Sequence, residues 1–308
     1  MTWRGVRLVR PAVSQPPLSS NALTGELTAL LRSPVTLTSF GARAQRIEEL
    51  EAHVIERLAV VGAPLPPELH ALHAEALALR ERLETRNARF VERLRARIAN
   101  GAYTRAGLLR AFARLADPQP GVPGYDALDE LFADLFDAGE LPELHAQLEP
   151  EMVAYQPTPA RVILALIERA ALSCEDVLCD VGSGLGHVLL ASALLSGARG
   201  VGVELEPAYC AHAARSARRL RLPQLTFMAA DAREAPLDEA NVFYLYTPFR
   251  GQLLDDVLAR LKREATRRPL VICSYGPCTP VVAQARWLEQ RQPADLNPHE
   301  LHVFDSVL

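Results

Sequence analysis

The residues with the clearest chemical content in this 308-residue chain are three carboxylates, Asp180, Glu204 and Asp231, each closing an apolar run. Asp180 opens Asp180-Val181-Gly182-Ser183-Gly184-Leu185-Gly186-His187, with Val177-Leu178-Cys179 before it and Val188-Leu189-Leu190-Ala191 after it. A buried strand that ends in an acid and turns through alternating glycines reads as a ligand-binding turn. Residues without Cβ adopt positive φ and leave the backbone open to a close approach. Spacing narrows the ligand. A dinucleotide site calls for G-x-G-x-x-G with a pyrophosphate at the helix N-terminus, but here the third glycine comes one residue early and His187 takes the dinucleotide position.

The other two acids need elements to carry them. Glu204 ends Gly200-Val201-Gly202-Val203-Glu204, 24 residues after Asp180, which leaves room for one crossover helix and makes a βαβ unit. An acid there can accept both hydroxyls of a ribose, in charge-assisted bonds of about 1.5–3 kcal/mol each. Asp231 closes Leu225-Thr226-Phe227-Met228-Ala229-Ala230. A fourth strand, Asn241-Val242-Phe243-Tyr244-Leu245-Tyr246, is too apolar and aromatic for exposure on both faces, and it runs into Thr247-Pro248-Phe249.

Together these segments resemble class I S-adenosylmethionine-dependent methyltransferases, from the D-x-G-x-G-x-G of motif I at Asp180 to the motif IV position at Thr247. The resemblance runs from Tyr155 to about Thr279. It implies a cofactor with no phosphate to hold, S-adenosylmethionine, with S-adenosylhomocysteine as product and no metal. It also implies an α/β fold with a Rossmann-like sheet, mostly parallel with an antiparallel last strand. Within the class the chain is most similar to the non-SET histone-lysine methyltransferase branch and its bacterial relatives, through Tyr155-Gln156-Pro157-Thr158-Pro159, His187-Val188 and Gly202-Val203-Glu204. In that branch the tyrosine and the hydroxyl residue lie over the methionine end of the cofactor. The implied cofactor residues are Tyr155, Thr158, Asp180, Gly182, Ser183, Gly184, Gly186, Glu204, Asp231, Ala232 and Thr247, with Asp231 meeting the adenine amino group. The chain departs from the branch at Thr247, where relatives often carry Asn, whose amide helps hold an amine nucleophile.

Methyl transfer from a sulfonium asks mainly for alignment, with the nucleophile held roughly 3–3.5 Å from the methyl carbon. Thr247, Tyr275 and Tyr155 are the expected orienting residues. Tyr246, Pro248, Phe249 and Pro277 join them at strand ends, where open α/β sheets bind ligands. This aromatic and apolar set favours a small, heteroaromatic acceptor methylated on N, O or S. Two alternatives stand beside it: a protein-lysine or other macromolecular methyltransferase, and a cofactor-binding module without catalysis.

The length allows one catalytic domain of about 150 residues and an accessory region. Residues 1–40, with Pro11, Pro16, Pro17 and Pro34, read as irregular; 41–150 as a helical accessory or lid domain; 151–308 as the methyltransferase domain. Ile47, Leu50, Val54 and Leu58 predict an amphipathic helix, stopped by Gly62 and Pro64. A longer helix is expected from Pro67 to Ala99, closed by Asn100-Gly101, and two more over 104–115 and 125–136. Core packing accounts for these stripes, although a homodimer through them stays open.

No apolar run approaches the ~20 residues of a membrane helix and residues 1–20 lack a signal-peptide core, so a cytoplasmic protein is expected. Cys174, Cys179, Cys210, Cys273 and Cys278 form no CxxC pair and read as free thiols. His53, His70, His73 and His145 have no partner at ligand spacing, and His299-Glu300-Leu301-His302 is not H-E-x-x-H. Residues 1–150 hold 17 basic and 19 acidic side chains, and 151–308 hold 16 and 18. The balance argues against a nucleic-acid partner. The clusters Arg215, Arg218, Arg219, Arg221 and Arg263, Arg267, Arg268 read as solvated helix faces.

Overall fold

The computed structural model describes residues 20–33, 37–61, 65–116, 124–136, 142–292 and 295–307. They fall into two compact units, one ending at Arg95 and the other beginning at Ala96.

The first unit is helical. Helix α1 (Ser20–Arg32) lies within the stretch expected to be irregular; the prolines that prompted that expectation are outside the described residues. Leu23, Leu27 and Leu31 recur at helical spacing and bury one face of α1. Helix α2 (Phe40–Leu50), capped by the Ser39 hydroxyl on Ala42 N at 3.1 Å, continues through a π-helical turn (Glu51–Ile55) into α3 (Glu56–Val61). The expected stripe Ile47, Leu50, Val54 and Leu58 is buried against α1, together with Leu69, Ala76 and Leu83 of α4 (Pro67–Ala99). The bounds of α4 are those predicted. Beyond its end Gly101 is left-handed, φ 66°, and Ala102 N donates to Arg97 O at 2.8 Å.

The second unit holds a seven-stranded sheet in the order β3-β2-β1-β4-β5-β7-β6. The strands are β1 (Val177–Val181), β2 (Arg199–Glu204), β3 (Leu225–Ala229), β4 (Val242–Tyr246), β5 (Val271–Tyr275), β6 (Leu288–Gln290) and β7 (His302–Ser306). β1 to β5 pair in parallel, and β7 is antiparallel to β5 and β6. This is the mostly parallel sheet with an antiparallel last strand that the resemblance implies. Register places Asp180 opposite Gly202 on one side and Tyr244 on the other. The order reverses between β1 and β4, so the crevice beyond their C-terminal ends is the topological switch point where such sheets take ligands.

Helices α5 (Arg105–Ala113), α6 (Ala127–Leu135), α7 (Ala160–Arg169), α8 (His187–Ser196), α9 (Pro207–Arg219), α10 (Gly251–Ala265) and α11 (Thr279–Ala283) belong to the same unit. The two compact units divide at 95/96, with α5 and α6 in the sheet unit. The reason is packing: α5 and α6 lie on α7 and α8. Phe112 meets Phe132 edge-on at 5.3 Å, and Phe136 meets the His187 ring at 5.6 Å. Asp129 closes a capping box on α6 and also accepts from Ala160 N at the start of α7, at 2.6 Å.

Cys179, Cys210, Cys273 and Cys278 are buried free thiols and Cys174 is exposed. No described helix is long and apolar enough to cross a membrane.

Candidate cofactor and acceptor site

The turn after β1 is tied to the end of β2 by its backbone. Gly182 N and Ser183 N donate to Val203 O at 2.8 and 3.0 Å, and Gly184 N donates to Glu204 Oε2 at 2.8 Å. The other Glu204 oxygen accepts from Glu206 N at 2.9 Å. Gly184 has φ 51°, and a Cβ there would overlap the Tyr155 ring, so both backbone conformation and space require glycine. Gly186, also left-handed, caps α8. The buried Ser183 side chain lies against Gly202.

Asp180 is 3% exposed, and no described residue hydrogen-bonds its carboxylate. Burial, and then the negative charge of Glu204, push its pKa up to about 8. A buried acid beside a second acid is unfavourable unless a cation completes the site. The two carboxylates therefore suit a ligand bearing ammonium or sulfonium charge and oppose a pyrophosphate. Glu204 keeps lone pairs on both oxygens for hydroxyl donors. These residues fit S-adenosylmethionine.

A strap, residues 142–159, passes over the strand ends. Glu206 accepts from His145 N at 2.6 Å and Ala146 N at 2.8 Å. Glu149 pairs with Arg233 at 2.6 Å. Glu151 caps α10 through Leu253 N at 3.0 Å, and Val153 N donates to Pro248 O at 3.1 Å. The strap then sets Tyr155 over the glycine turn, 5.2 Å from the Tyr209 ring, and Thr158 Oγ1 is 3.2 Å from the buried Tyr244 hydroxyl.

Asp231 sits at the end of β3 but is engaged by Arg233, whose Nε is 3.0 Å from both carboxylate oxygens. That guanidinium holds the carboxyl below its usual range. Ala232 accepts from Arg260 through its carbonyl at 2.7 Å. The strap acids, Glu206 and Arg233 have no sequence signature as a set, because the bonds that join the strap to the strand ends link residues far apart in the chain.

On the acceptor side Thr247 has φ 40°, a left-handed backbone that is a strained outlier for a β-branched residue. Its hydroxyl donates to Tyr275 O at 3.2 Å and accepts from Cys278 N at 3.0 Å. The structure thus brings Thr247 and Tyr275 together, but the Thr247 proton is committed to backbone, which makes this residue a clasp between the ends of β4 and β5. Thr247→Ala leaves Cys278 N buried and unpaired and is expected to cost about 1–3 kcal/mol in urea denaturation; unchanged stability would refute the clasp.

Tyr246 and Tyr275 have ring centroids 4.7 Å apart. Arg161, which donates to Gly124 O, acts electrostatically on both tyrosines, and Tyr125, whose hydroxyl donates to Pro157 O at 2.9 Å, acts on Tyr246. Burial raises the pKa of all three phenols. Tyr125 and Arg161 were not anticipated, since the sequence places them before and within the helix preceding β1. Pro248 covers Gly182, Phe249 is buried and bridges Met152, and Pro277 is exposed.

No protein-family model matches the chain, and no curated protein matches it. Solved structures do. An RNA methyltransferase from Salinibacter ruber in complex with S-adenosylhomocysteine is 27% identical over 49% of this chain and 92% of its own, with a TM-score of 0.38. A SAM-dependent methyltransferase from Thiobacillus denitrificans, also with S-adenosylhomocysteine, is 19% identical over 46% of this chain and 54% of its own, with a TM-score of 0.35. The putative methyltransferase yhhF from Escherichia coli is 17% identical over 55% and 92%, with a TM-score of 0.40. At such TM-scores the assignment depends on the chain's own residues.

Proposed function

We propose that the chain is a class I methyltransferase that transfers a methyl group from S-adenosylmethionine to an N, O or S atom of a small heteroaromatic acceptor. The observation that carries this reading is the buried Asp180 carboxylate, unpartnered among the described residues and raised in pKa by burial and then by Glu204, beside a glycine turn at the switch point. When bound, S-adenosylmethionine supplies an activated methyl group on a good leaving group. The protein supplies the rest. Asp180 and Glu204 offer acceptors for an ammonium group and a ribose. Tyr155 and the strap cover the turn and exclude water. Tyr125, Tyr246 and Tyr275 form an aromatic wall for a planar acceptor, and the positive charge of Arg161 beside them disfavours a cationic lysine side chain.

Titration calorimetry with S-adenosylhomocysteine tests the cofactor reading. Binding is expected, and Glu204→Ala is expected to weaken it tenfold or more, about 1.4 kcal/mol. Tight NAD binding in its place would overturn the assignment.

A further inference from the structure

The charged residues of α4 are sorted by face. Arg82, Arg86, Arg89 and Arg93 are all exposed and fall at i, i+4, i+7 and i+11, which puts them on one narrow stripe of the helix. At 1.5 Å per residue the stripe is about 16 Å long, with successive arginines about 4.5–6 Å apart. None of the four has a hydrogen bond or ion pair among the described residues. Of the acids of this stretch, Glu84 lies on the far side of the helix and Glu81 and Glu92 about a quarter-turn from the stripe, while Glu84 and Glu92 are within ion-pair distance of Arg80 and Arg95, at 3.8 and 2.6 Å, and not of the stripe.

The surroundings concentrate this charge. Arg43, buried beneath the stripe and bonded to Asn87 Oδ1 at 2.6 Å, is held below its usual pKa by burial and then by Arg86 and Arg93. Phe90, the large apolar neighbour of Arg86 and Arg93, is half-buried against Phe40 at 5.8 Å, which counts against insertion of this face into a membrane. Four unpaired guanidiniums in a row at near-phosphate spacing complement a polyanion with regular charges, and each can bind phosphate bidentately. Net charge conceals this, because the acids that balance it lie off the line of the stripe, and Glu84 and Glu92 pair with Arg80 and Arg95.

We propose that the stripe Arg82-Arg86-Arg89-Arg93 docks the phosphate backbone of a nucleic acid strand. It would bind without sequence readout, since phosphate contacts position a partner and base contacts specify it. The inference stands whether or not the cofactor reading holds.

Fluorescence anisotropy of the full chain with a labelled 20-nucleotide RNA, the same DNA strand and a 20-base-pair duplex tests it. With about four phosphates neutralised, single-strand affinity is expected to fall about 50-fold between 50 and 200 mM salt. In Arg82→Gln/Arg86→Gln/Arg89→Gln/Arg93→Gln, affinity at 50 mM salt drops at least about tenfold and the residual salt effect shrinks to about threefold or less. The same four positions changed to Lys retain most of the binding, which separates charge from folding. Equal binding by parent and Gln variant, or binding only to vesicles of anionic lipid, overturns the proposal. Calorimetry with S-adenosylhomocysteine on the Gln variant reports the cofactor site separately.

Discussion

Asp180→Asn is expected to bind S-adenosylhomocysteine at least about tenfold more weakly than the parent and, without ligand, to melt at a higher temperature at pH 8. Both effects come from one buried charge. The folded-state pKa of Asp180 is about 8, against 3.8 for the ordinary carboxyl, and burial is the larger cause, with Glu204 second. A raised folded pKa means that the fold prefers the protonated acid. The contribution of this group to stability is therefore fully present below about pH 4 and is lost as pH rises through 8, a change of up to about 5 kcal/mol. An amide never ionises, so the variant keeps that contribution at high pH.

Ligand binding should carry the opposite sign. A cationic ligand needs the ionised carboxylate, so below pH 8 binding must release a proton from Asp180. Affinity for S-adenosylhomocysteine is expected to rise on the order of tenfold or more between pH 6 and 8, and the binding enthalpy should shift with the ionisation heat of the buffer. Asp180→Asn removes both dependences. Asp129 serves as the control. It too is held above the usual carboxylate range, by burial and by Asp126, yet its oxygens accept from Asp126 N and Ala160 N. Asp129→Asn should alter stability against pH and leave the proton release unchanged. An affinity for the product that is flat with pH in the parent would exclude Asp180 from the cofactor site.

Local patterns carried most of the architecture. The apolar spacing in α4, its Pro67 start and its Asn100-Gly101 stop set the helix to the residue, and the β1 turn and Glu204 are adjacent in space because one βαβ unit forces them together. What escaped depends on long-range pairing. The partner of Asp231 is two residues away, but the Glu149 that joins them comes from the strap, 84 residues from Arg233. Thr247 could be read as a hydroxyl near the chemistry, whereas its left-handed backbone and its bonds across to β5 follow from the β4–β5 pairing and no local pattern encodes them. The assignment of α5 and α6 to the sheet unit has a related cause: amphipathic stripes on α5 and α6 say that each buries a face, not which unit receives it. The balanced net charge likewise hid the arginine stripe, because a sum over residues discards the helical phase.

The second large effect is expected at Gly184. Its left-handed φ costs an L-residue roughly 1–2 kcal/mol, and the added Cβ would occupy the space of the Tyr155 ring. Tyr155 is wedged between the turn and Tyr209, so it cannot yield without lifting the strap from the strand ends. Gly184→Ala is therefore expected to destabilise the sheet unit by about 2–5 kcal/mol, the backbone cost plus the 1–3 kcal/mol typical of overpacking. It should also weaken S-adenosylhomocysteine binding, since Gly184 N anchors Glu204. Two causes can be separated by a cycle. Tyr155→Ala opens the space, so Gly184→Ala made in that background should cost only the backbone part, giving a coupling of about 1–3 kcal/mol between the two positions in urea denaturation. Strict additivity would mean that Tyr155 does not rest on the turn in solution, and the strap would then have to be drawn open over an uncovered cofactor crevice.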